Sequence, residues 1–554
     1  MSTFIALGCL LGLLLALTRR PLTATALTLY VAATLLIASL VKQSFLGMPM
    51  TLADVRFFLL RPAVNAALFT NYPLLGVALV ALLGYGVAVA WAGVKLEPRS
   101  TMLSTPRGGP VLRTAVALVP LAALLVGLHQ PPPRAGAATS DGGPDNFDAW
   151  QAFLTLHDME RPASLLARLN MFFDNRDILA TLPPARAQHR FPEAEEAAGD
   201  APAAPPPERL PDILVVLEES TFDPTLIARC PLSQCDSTLL HAPRRAVANE
   251  QGALLVHSTG GGTWLSEFAF LSGFDWRTFG RGGAYAPVSV APRLRHALPL
   301  RLRAAGYRTI AICPTDGNFL SARSAYASYG FEEFHAAEDL HFEANWHSVR
   351  DAEVFDRALA IAARPDDTRP LFVFVLTIRN HGPHGEPGSS LPGDLKGLRR
   401  RTSAGLADYL GRMRDSAVDY AALARRWLAA PRPRVIGWFG DHQPETAWTF
   451  TGDPAALRGA RLPTHLPAGQ LQYLTRWQLS ANFPAAAEPG GTDALDLAFL
   501  GARLLRFAGL PLDPEERASL ALAAHCHGLM LGCEDRDRVA DYLSYRIHEL
   551  RSVQ

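Results

Sequence analysis

Residues 213–220 read Ile-Leu-Val-Val-Leu-Glu-Glu-Ser: five apolar positions without a break, running into two carboxylates and a hydroxyl. A half-exposed strand alternates apolar and polar residues, whereas an unbroken apolar run suits a strand covered on both faces. Four more runs share this texture: 253–257 (ALLVH), 308–313 (RTIAIC), 371–377 (LFVFVLT) and 434–439 (RVIGWF). Helical stretches at 293–305, 351–363 and 405–429 separate several of them. The alternation predicts an α/β domain with a central, mostly parallel sheet flanked by helices. In such folds ligands bind beyond the carboxyl ends of the strands.

Polar residues gather at those ends. The first run leads into Glu218-Glu219-Ser220, and ALLVH leads through Ser258-Thr259-Gly260-Gly261-Gly262 to Thr263. LFVFVLT ends in Ile378-Arg379-Asn380-His381-Gly382-Pro383-His384, and RVIGWF in Gly440-Asp441-His442-Gln443. A carboxylate, a hydroxyl and an Asp-His pair can converge on one divalent cation, and three oxygens with one nitrogen suit zinc or manganese. Such an ion lowers the proton affinity of a hydroxyl and makes a threonine a nucleophile. Glycines before Thr263 let backbone N–H groups approach an anion, and a helix starting there favours phosphate. Taken singly, each piece has a plainer reading: a turn, a helix cap, a flexible loop. Their joint occurrence at strand ends points to chemistry.

Outward from this domain the composition changes. The chain has 554 residues, 49% of them hydrophobic, and the excess sits at the front. Residues 4–17, 21–41, 74–94 and 112–128 are apolar runs, which predict about four transmembrane helices within residues 1–130. The stretch 57–72 is a candidate re-entrant or interfacial helix. Arg19 and Arg20 follow the first run, where a cleaved signal carries its positive charge ahead of it. Those arginines in the first loop, and Lys95, Arg99 and Arg107 in the third, place both loops in the cytoplasm and everything after residue 128 outside. Residues 131–209 form a linker, rich in Pro, Ala, Gly and acid at 129–146 and 184–212. Between those stretches lie one or two amphipathic helices, set either on the bilayer surface or against the outer domain. Residues 210–554 are the extracytoplasmic domain. Fifty-two basic and 52 acidic side chains leave no net charge, which argues against nucleic-acid binding. Cys230 with Cys235 and Cys526 with Cys533 read as two local disulfides of an exported domain. A metal site using His525, Cys526 and His527 is the rival reading.

The order Glu-Ser after the first strand, Thr-x-x-Ser-Glu-Phe after a glycine-rich loop, Asn-His-x-Pro and then Gly-Asp-His resembles the sulfatase-like transferases of the alkaline-phosphatase superfamily. Lipoteichoic acid synthase-like and periplasmic glucan phosphoglycerol transferase-like membrane enzymes are the nearest in pattern, with phosphoethanolamine transferases the next branch. The resemblance covers residues 210–450. It implies one divalent metal (manganese or zinc, with magnesium as a third option) held by Glu219, Thr263, Asp441 and His442, with Glu218 as a substitute for Glu219. It makes Thr263 the nucleophile, and His381 the group that contacts the donor phosphate or protonates the leaving group. Asn380 and Arg323 become substrate-binding residues. Arg323 stands one residue out of register with the family's phosphate-holding arginine, and no tryptophan precedes it. The sulfatase maturation motif Cys-x-Pro-x-Arg (or Ser-x-Pro-x-Arg) does not occur, which disfavours sulfate-ester hydrolysis.

The activity so implied is transfer of phosphoglycerol from a membrane phospholipid, through a phospho-threonine, to a glycan or lipid-linked acceptor. It would take place on the periplasmic side of a bacterial inner membrane. Phosphoethanolamine transfer, or hydrolysis with water as acceptor, are the alternatives, and a non-catalytic binding protein with a decayed site is the reading from a different class.

Overall fold

The computed structural model describes residues 2–46, 73–101, 209–223, 242–343, 349–363, 366–385, 404–444, 470–486, 494–530 and 532–554, with a few residues between these spans. The chain divides into two compact units, Met1–Arg176 and Asp177–Gln554.

In the first unit, α1 (Ser2–Thr18), α2 (Pro21–Leu46) and α3 (Pro73–Leu96) are predominantly apolar, with Lys42 and Lys95 near the ends of α2 and α3. Pro21–Lys42 and Gly76–Leu96 are long and apolar enough to cross a membrane, and α1 is shorter. The predicted fourth span falls largely outside the described residues, as does the stretch 57–72. The Glu97 carboxylate, just past α3, accepts from the N–H groups of Leu22 and Thr23 at 2.8 and 2.6 Å. These are donors that the first turn of α2 cannot satisfy itself. The Ser100 N–H donates to Arg19 O at 2.7 Å, and Arg20 Nε to Glu97 O at 2.6 Å. The first loop and the segment after α3 therefore lie at the same end of this helical unit.

The second unit is built on one eight-stranded sheet of order β4-β3-β5-β1-β6-β7-β2-β8. The strands are β1 (Asp212–Glu218), β2 (Ala248–Leu255), β3 (Arg308–Ile312), β4 (Glu333–His335), β5 (Leu371–Leu376), β6 (Arg434–Gly440), β7 (Leu474–Ala481) and β8 (Leu495–Asp496). Only β7 runs against the rest, pairing antiparallel with both β6 and β2. The sheet is therefore mixed but mostly parallel, and the carboxyl ends of β1, β2, β3, β5 and β6 share one edge. Register puts Leu217 beside Leu376 and Glu218 beside Gly440, so the central strands end level.

Helices cover both faces, which is why the central strands carry no polar alternation. On one face α7 (Asp351–Ala362) and α8 (Ala404–Trp427) bring Val354, Phe355, Leu423 and Trp427 against Val216, Ile312, Val375 and Trp438. On the other, α4 (Thr263–Ser272) lays Phe270 between Phe374 and Phe439, with ring centroids 5.6 and 4.8 Å away. Burying such an aromatic contributes on the order of 2–3 kcal/mol and fixes where α4 sits on the sheet.

Two expectations change. The strand expected at 253–257 begins at Ala248 and ends at Leu255. Its first half pairs through polar side chains, Ser480 with Asn249 and Gln478 with Gln251, so it leaves no hydrophobic signature. The helix expected over 293–305 is a short turn at Ala291–Arg293 followed by α5 (Leu298–Ala304). Pro299 at its second position lacks the N–H that a continuous helix needs.

Cys526 and Cys533 are bonded at the end of α10 (Pro514–His525), which removes the metal reading for Cys526. Cys230 and Cys235 lie outside the described residues. Cys313 is a buried free thiol just past β3.

Candidate active site and metal centre

The site grows from three chain segments at the carboxyl edge. Past β1, Glu219 is buried and its N–H donates to Thr377 Oγ1 at 3.0 Å, at the end of β5. Ser220 takes a left-handed φ of 49°, donates its N–H to Asp441 Oδ1 at 2.7 Å and its hydroxyl to Glu219 Oε1 at 2.7 Å. Past β6 come Asp441 and His442. Gly440 before them has no alternative, because a Cβ there would stand 1.7 Å from Thr221 O. Its absence lets the segments after β1 and β6 close on each other.

The third segment is the glycine loop. Gly260, Gly261 and Gly262 have φ of 68°, 155° and 85°, conformations that other residues rarely adopt. They turn the chain so that Thr263 opens α4. The Ser266 hydroxyl donates to Asp441 O at 2.6 Å and pins the first turn of α4 to the end of β6. Gly260 N–H donates to Gln443 O at 2.9 Å, and Gln443 Nε2 to Leu471 O and Leu474 O at 2.8 Å each.

The four residues that the sequence pattern singles out as ligands meet here. Thr263 Oγ1 donates to Glu219 Oε2 at 3.2 Å and lies 3.3 Å from His442 Nε2. His442 Nε2 is 3.1 Å from Asp441 Oδ2 and 3.6 Å from Glu219 Oε1. His442 Nδ1 faces Gln443 O at 3.1 Å. A carbonyl can only accept, so Nδ1 carries the proton and Nε2 turns a lone pair toward two carboxylates. Asp441 Oδ2 is buried and accepts no hydrogen bond. Burial pushes the Glu219 carboxyl up and the Asp441 carboxyl to about 7, and holds the His442 imidazole below its usual range. Two buried acids and a neutral imidazole, with ligand atoms all within 4.8 Å of one another, lack the positive charge that would satisfy them. A divalent cation fits this donor set, and two carboxylates, an imidazole and a hydroxyl suit zinc or manganese.

The remaining candidates are spread around this cluster. His381 lies near Glu219 and His442, and its Nδ1 is 2.7 Å from Gly382 O. Asn380 is fully buried and its amide donates to Thr221 Oγ1 at 3.1 Å, behind the segment that follows β1. Arg323, in α6 (Ala322–Tyr329), pairs with Glu338 and Asp339 at 2.6 and 2.7 Å. Glu218 is wholly buried toward Thr377, Asp351 and Asp419, outside the four-residue cluster.

Several supporting residues left no clear mark in the sequence. Arg412 of α8 donates to His381 O at 2.9 Å and Pro383 O at 3.1 Å, and pairs with Asp408 at 2.6 Å. An acid and an arginine four residues apart ordinarily read as a solvated helix pair, but this one is buried and holds the His381 loop. Tyr409 OH donates to Ser220 O at 2.7 Å. Glu267, one turn after Thr263, is buried, accepts from Tyr326 OH at 2.8 Å, and is lifted by burial to about 7. A second acidic group, His296 with Asp513 and Glu516, is accounted for by the capping box that Asp513 and Glu516 form at the start of α10.

Residues 211–394 match the Sulfatase family model. An uncharacterized protein of Haemophilus influenzae is 30% identical over 351 residues, covering 61% of each chain. A Rhizobium meliloti protein described as a putative cyclic beta-1,2-glucan modification protein is 26% identical over 317 residues, 54% of this chain and 46% of its own length. The chain thus spans about three fifths and under half of these two relatives. Among solved structures, the Streptococcus pyogenes phosphoglycerol transferase GacH, in complex with sn-glycerol-1-phosphate, aligns with a TM-score of 0.49 at 16% identity, over 64% of this chain and 89% of that one.

Proposed function

We propose that the protein is a membrane-anchored, metal-dependent phosphotransferase. It moves a phosphoglycerol group from a phospholipid, through a phospho-threonine at Thr263, to a periplasmic or cell-surface glycan. The observation that carries this reading is the convergence of Thr263 Oγ1, Glu219, Asp441 and His442 at the N-terminus of α4. The glucan-modification description of the Rhizobium relative supports a glycan as acceptor. The apolar helices of the first unit support a lipid donor, since anchoring raises the local concentration of site and lipid.

Glu219, Asp441, His442 and the Thr263 hydroxyl would hold the cation, which supplies charge that lowers the proton affinity of the hydroxyl and neutralises phosphate oxygens. The residues of the chain do the rest. Thr263 Oγ1 attacks phosphorus and gives up its proton toward Glu219, its hydrogen-bond acceptor. Diacylglycerol leaves with a proton, for which His381 is the candidate donor. The helix N-terminus behind Thr263 favours the phosphate charge. An acceptor hydroxyl then attacks the phosphorus and gives its proton to His381, as the bond from phosphorus to Thr263 Oγ1 breaks and Glu219 returns its proton to Oγ1. Positioning and charge carry most of the acceleration in such reactions.

The test is release of diacylglycerol from vesicles of phosphatidylglycerol or phosphatidylethanolamine by the full chain, with and without chelator. The reading expects turnover of one lipid that chelator and Thr263→Ala both abolish. Turnover surviving Thr263→Ala would overturn it.

A further inference from the structure

Two aromatic side chains meet near the start of α4. Trp264 follows Thr263 directly, and its indole N–H donates to Ala284 O at 2.9 Å. Phe319 comes from the loop after β3, and its ring meets the Trp264 ring edge-on at 6.1 Å. Because β3 runs parallel to β5, and β5 to β1, that loop leaves the sheet at the edge where Glu219 stands. Both rings are half-buried.

The Phe319 loop is held in place. Phe319 N–H donates to Asp316 O at 3.0 Å, Ser321 N–H to Asn318 O at 3.0 Å, and Arg323 N–H to Gly317 O at 3.1 Å. Leu320 and Ser321 take φ of 46° and 60°, two successive left-handed residues that are not glycine. Such strain is unusual and persists where the surroundings over-determine it, most often beside binding sites. With its N–H tied inward, the Trp264 indole has only ring surface left to offer a ligand.

We propose that Trp264, edged by Phe319, is the platform on which a sugar ring of the acceptor stacks, and so determines acceptor specificity. This rests on the reading of the protein as a glycan phosphotransferase and adds the class of group that it recognises, a pyranose face. A pyranose presents a flat face of C–H bonds, slightly positive, which matches the electron-rich face of an indole. A single fixed ring suits a flat, rigid ligand better than the flexible chains of a lipid. Stacking there would bring a ring hydroxyl toward the phosphorus on Thr263. The hydroxyl oxygen bonds to phosphorus and its proton goes to His381, while the bond from phosphorus to Thr263 Oγ1 breaks and the proton held by Glu219 returns to Oγ1, which restores the threonine.

Binding tests this without turnover. The full chain in detergent is titrated with a linear β-glucan oligosaccharide by calorimetry, comparing wild type with Trp264→Phe, Trp264→Leu and Phe319→Leu. The proposal expects Trp264→Phe to keep most of the affinity and Trp264→Leu to lose about fivefold to tenfold. Phe319→Leu, which leaves the indole in place, should lose less, and it reads the same platform if Trp264→Leu fails to fold. Equal binding by the Phe and Leu variants of Trp264 would overturn the proposal, as would no sugar binding by wild type at millimolar concentration. A loss of vesicle-lipid turnover in Trp264→Leu with unchanged sugar binding would assign the platform to the donor and also overturn it. Sugar binding without any Thr263 adduct would instead count against the transferase reading alone.

Discussion

At the scale of single residues, the candidate site gathers two buried carboxylates and an imidazole into a donor set that a divalent cation fits. Asp441→Asn removes a carboxylate ligand atom, so bound zinc or manganese, measured by elemental analysis after dialysis, should fall from about one ion per chain to near zero. A variant that keeps its metal would contradict the ligand assignment. Glu267 is a different case, since it lies outside the ligand set. Its folded pKa, raised by burial to about 7, exceeds the unfolded value of about 4.3. At low pH both states are protonated and there is no penalty. As pH rises through about 4 to 7 the unfolded chain releases its proton first, so folding loses stability, and above about 7 the loss is complete. Glu267→Gln keeps an acceptor for Tyr326 and cannot ionise. Its unfolding temperature should therefore match or trail wild type near pH 4 and exceed it at pH 8, the swing being worth up to about 4 kcal/mol. A difference that does not change with pH would show that the carboxyl is not strained by burial.

At the scale of elements, the glycine loop and the disulfide are the two devices that place the site and close its flank. Gly262 caps α4 with φ 85°, and an added Cβ would meet Ser258 Cβ at 3.4 Å. Gly262→Ala should cost about 1–2 kcal/mol in strain and at least about tenfold in turnover, because Thr263 is the next residue. Wild-type rates in that variant would mean that the loop is not what positions the nucleophile. Cys526 and Cys533 are seven residues apart, a loop whose closure is worth about 2.5 kcal/mol, so the double serine variant should unfold several degrees lower. How far these elements could be foreseen follows from their physics. Strands β1, β3, β5 and β6 are buried on both faces and announce themselves as unbroken apolar runs. The β7 strand mixes Thr475, Arg476 and Gln478 with apolar residues, and the first part of β2 reads Ala-Asn-Glu-Gln-Gly, so both escaped the hydrophobic reading. The candidate ligand residues were legible because Glu219 and the Asp441-His442 pair directly follow strands and Thr263 follows a glycine run. Arg412 and Tyr409 were not, because a helix hides in its sequence which of its polar side chains turn inward.

At the scale of the molecule, apolar helices precede a domain that matches the Sulfatase family model over residues 211–394, and the proposal needs that domain outside the cell and within reach of lipid. Cysteines introduced at Ser100, beside the first loop, and at Ala304, exposed at the end of α5, can read the topology with a membrane-impermeant thiol reagent on intact cells. Labelling at Ala304→Cys and protection at Ser100→Cys is expected from the arginine pattern, and the reverse result would invert the topology. The most direct test of the central claim is peptide mass spectrometry on Thr263 after the full chain is mixed with phosphatidylglycerol vesicles and manganese or zinc, then quenched. The account predicts a glycerol-phosphate ester on the peptide that contains Thr263, absent after chelation and absent from Thr263→Ala. Lipid turnover with no adduct on that threonine at any quench time, or an adduct on another residue, would contradict it.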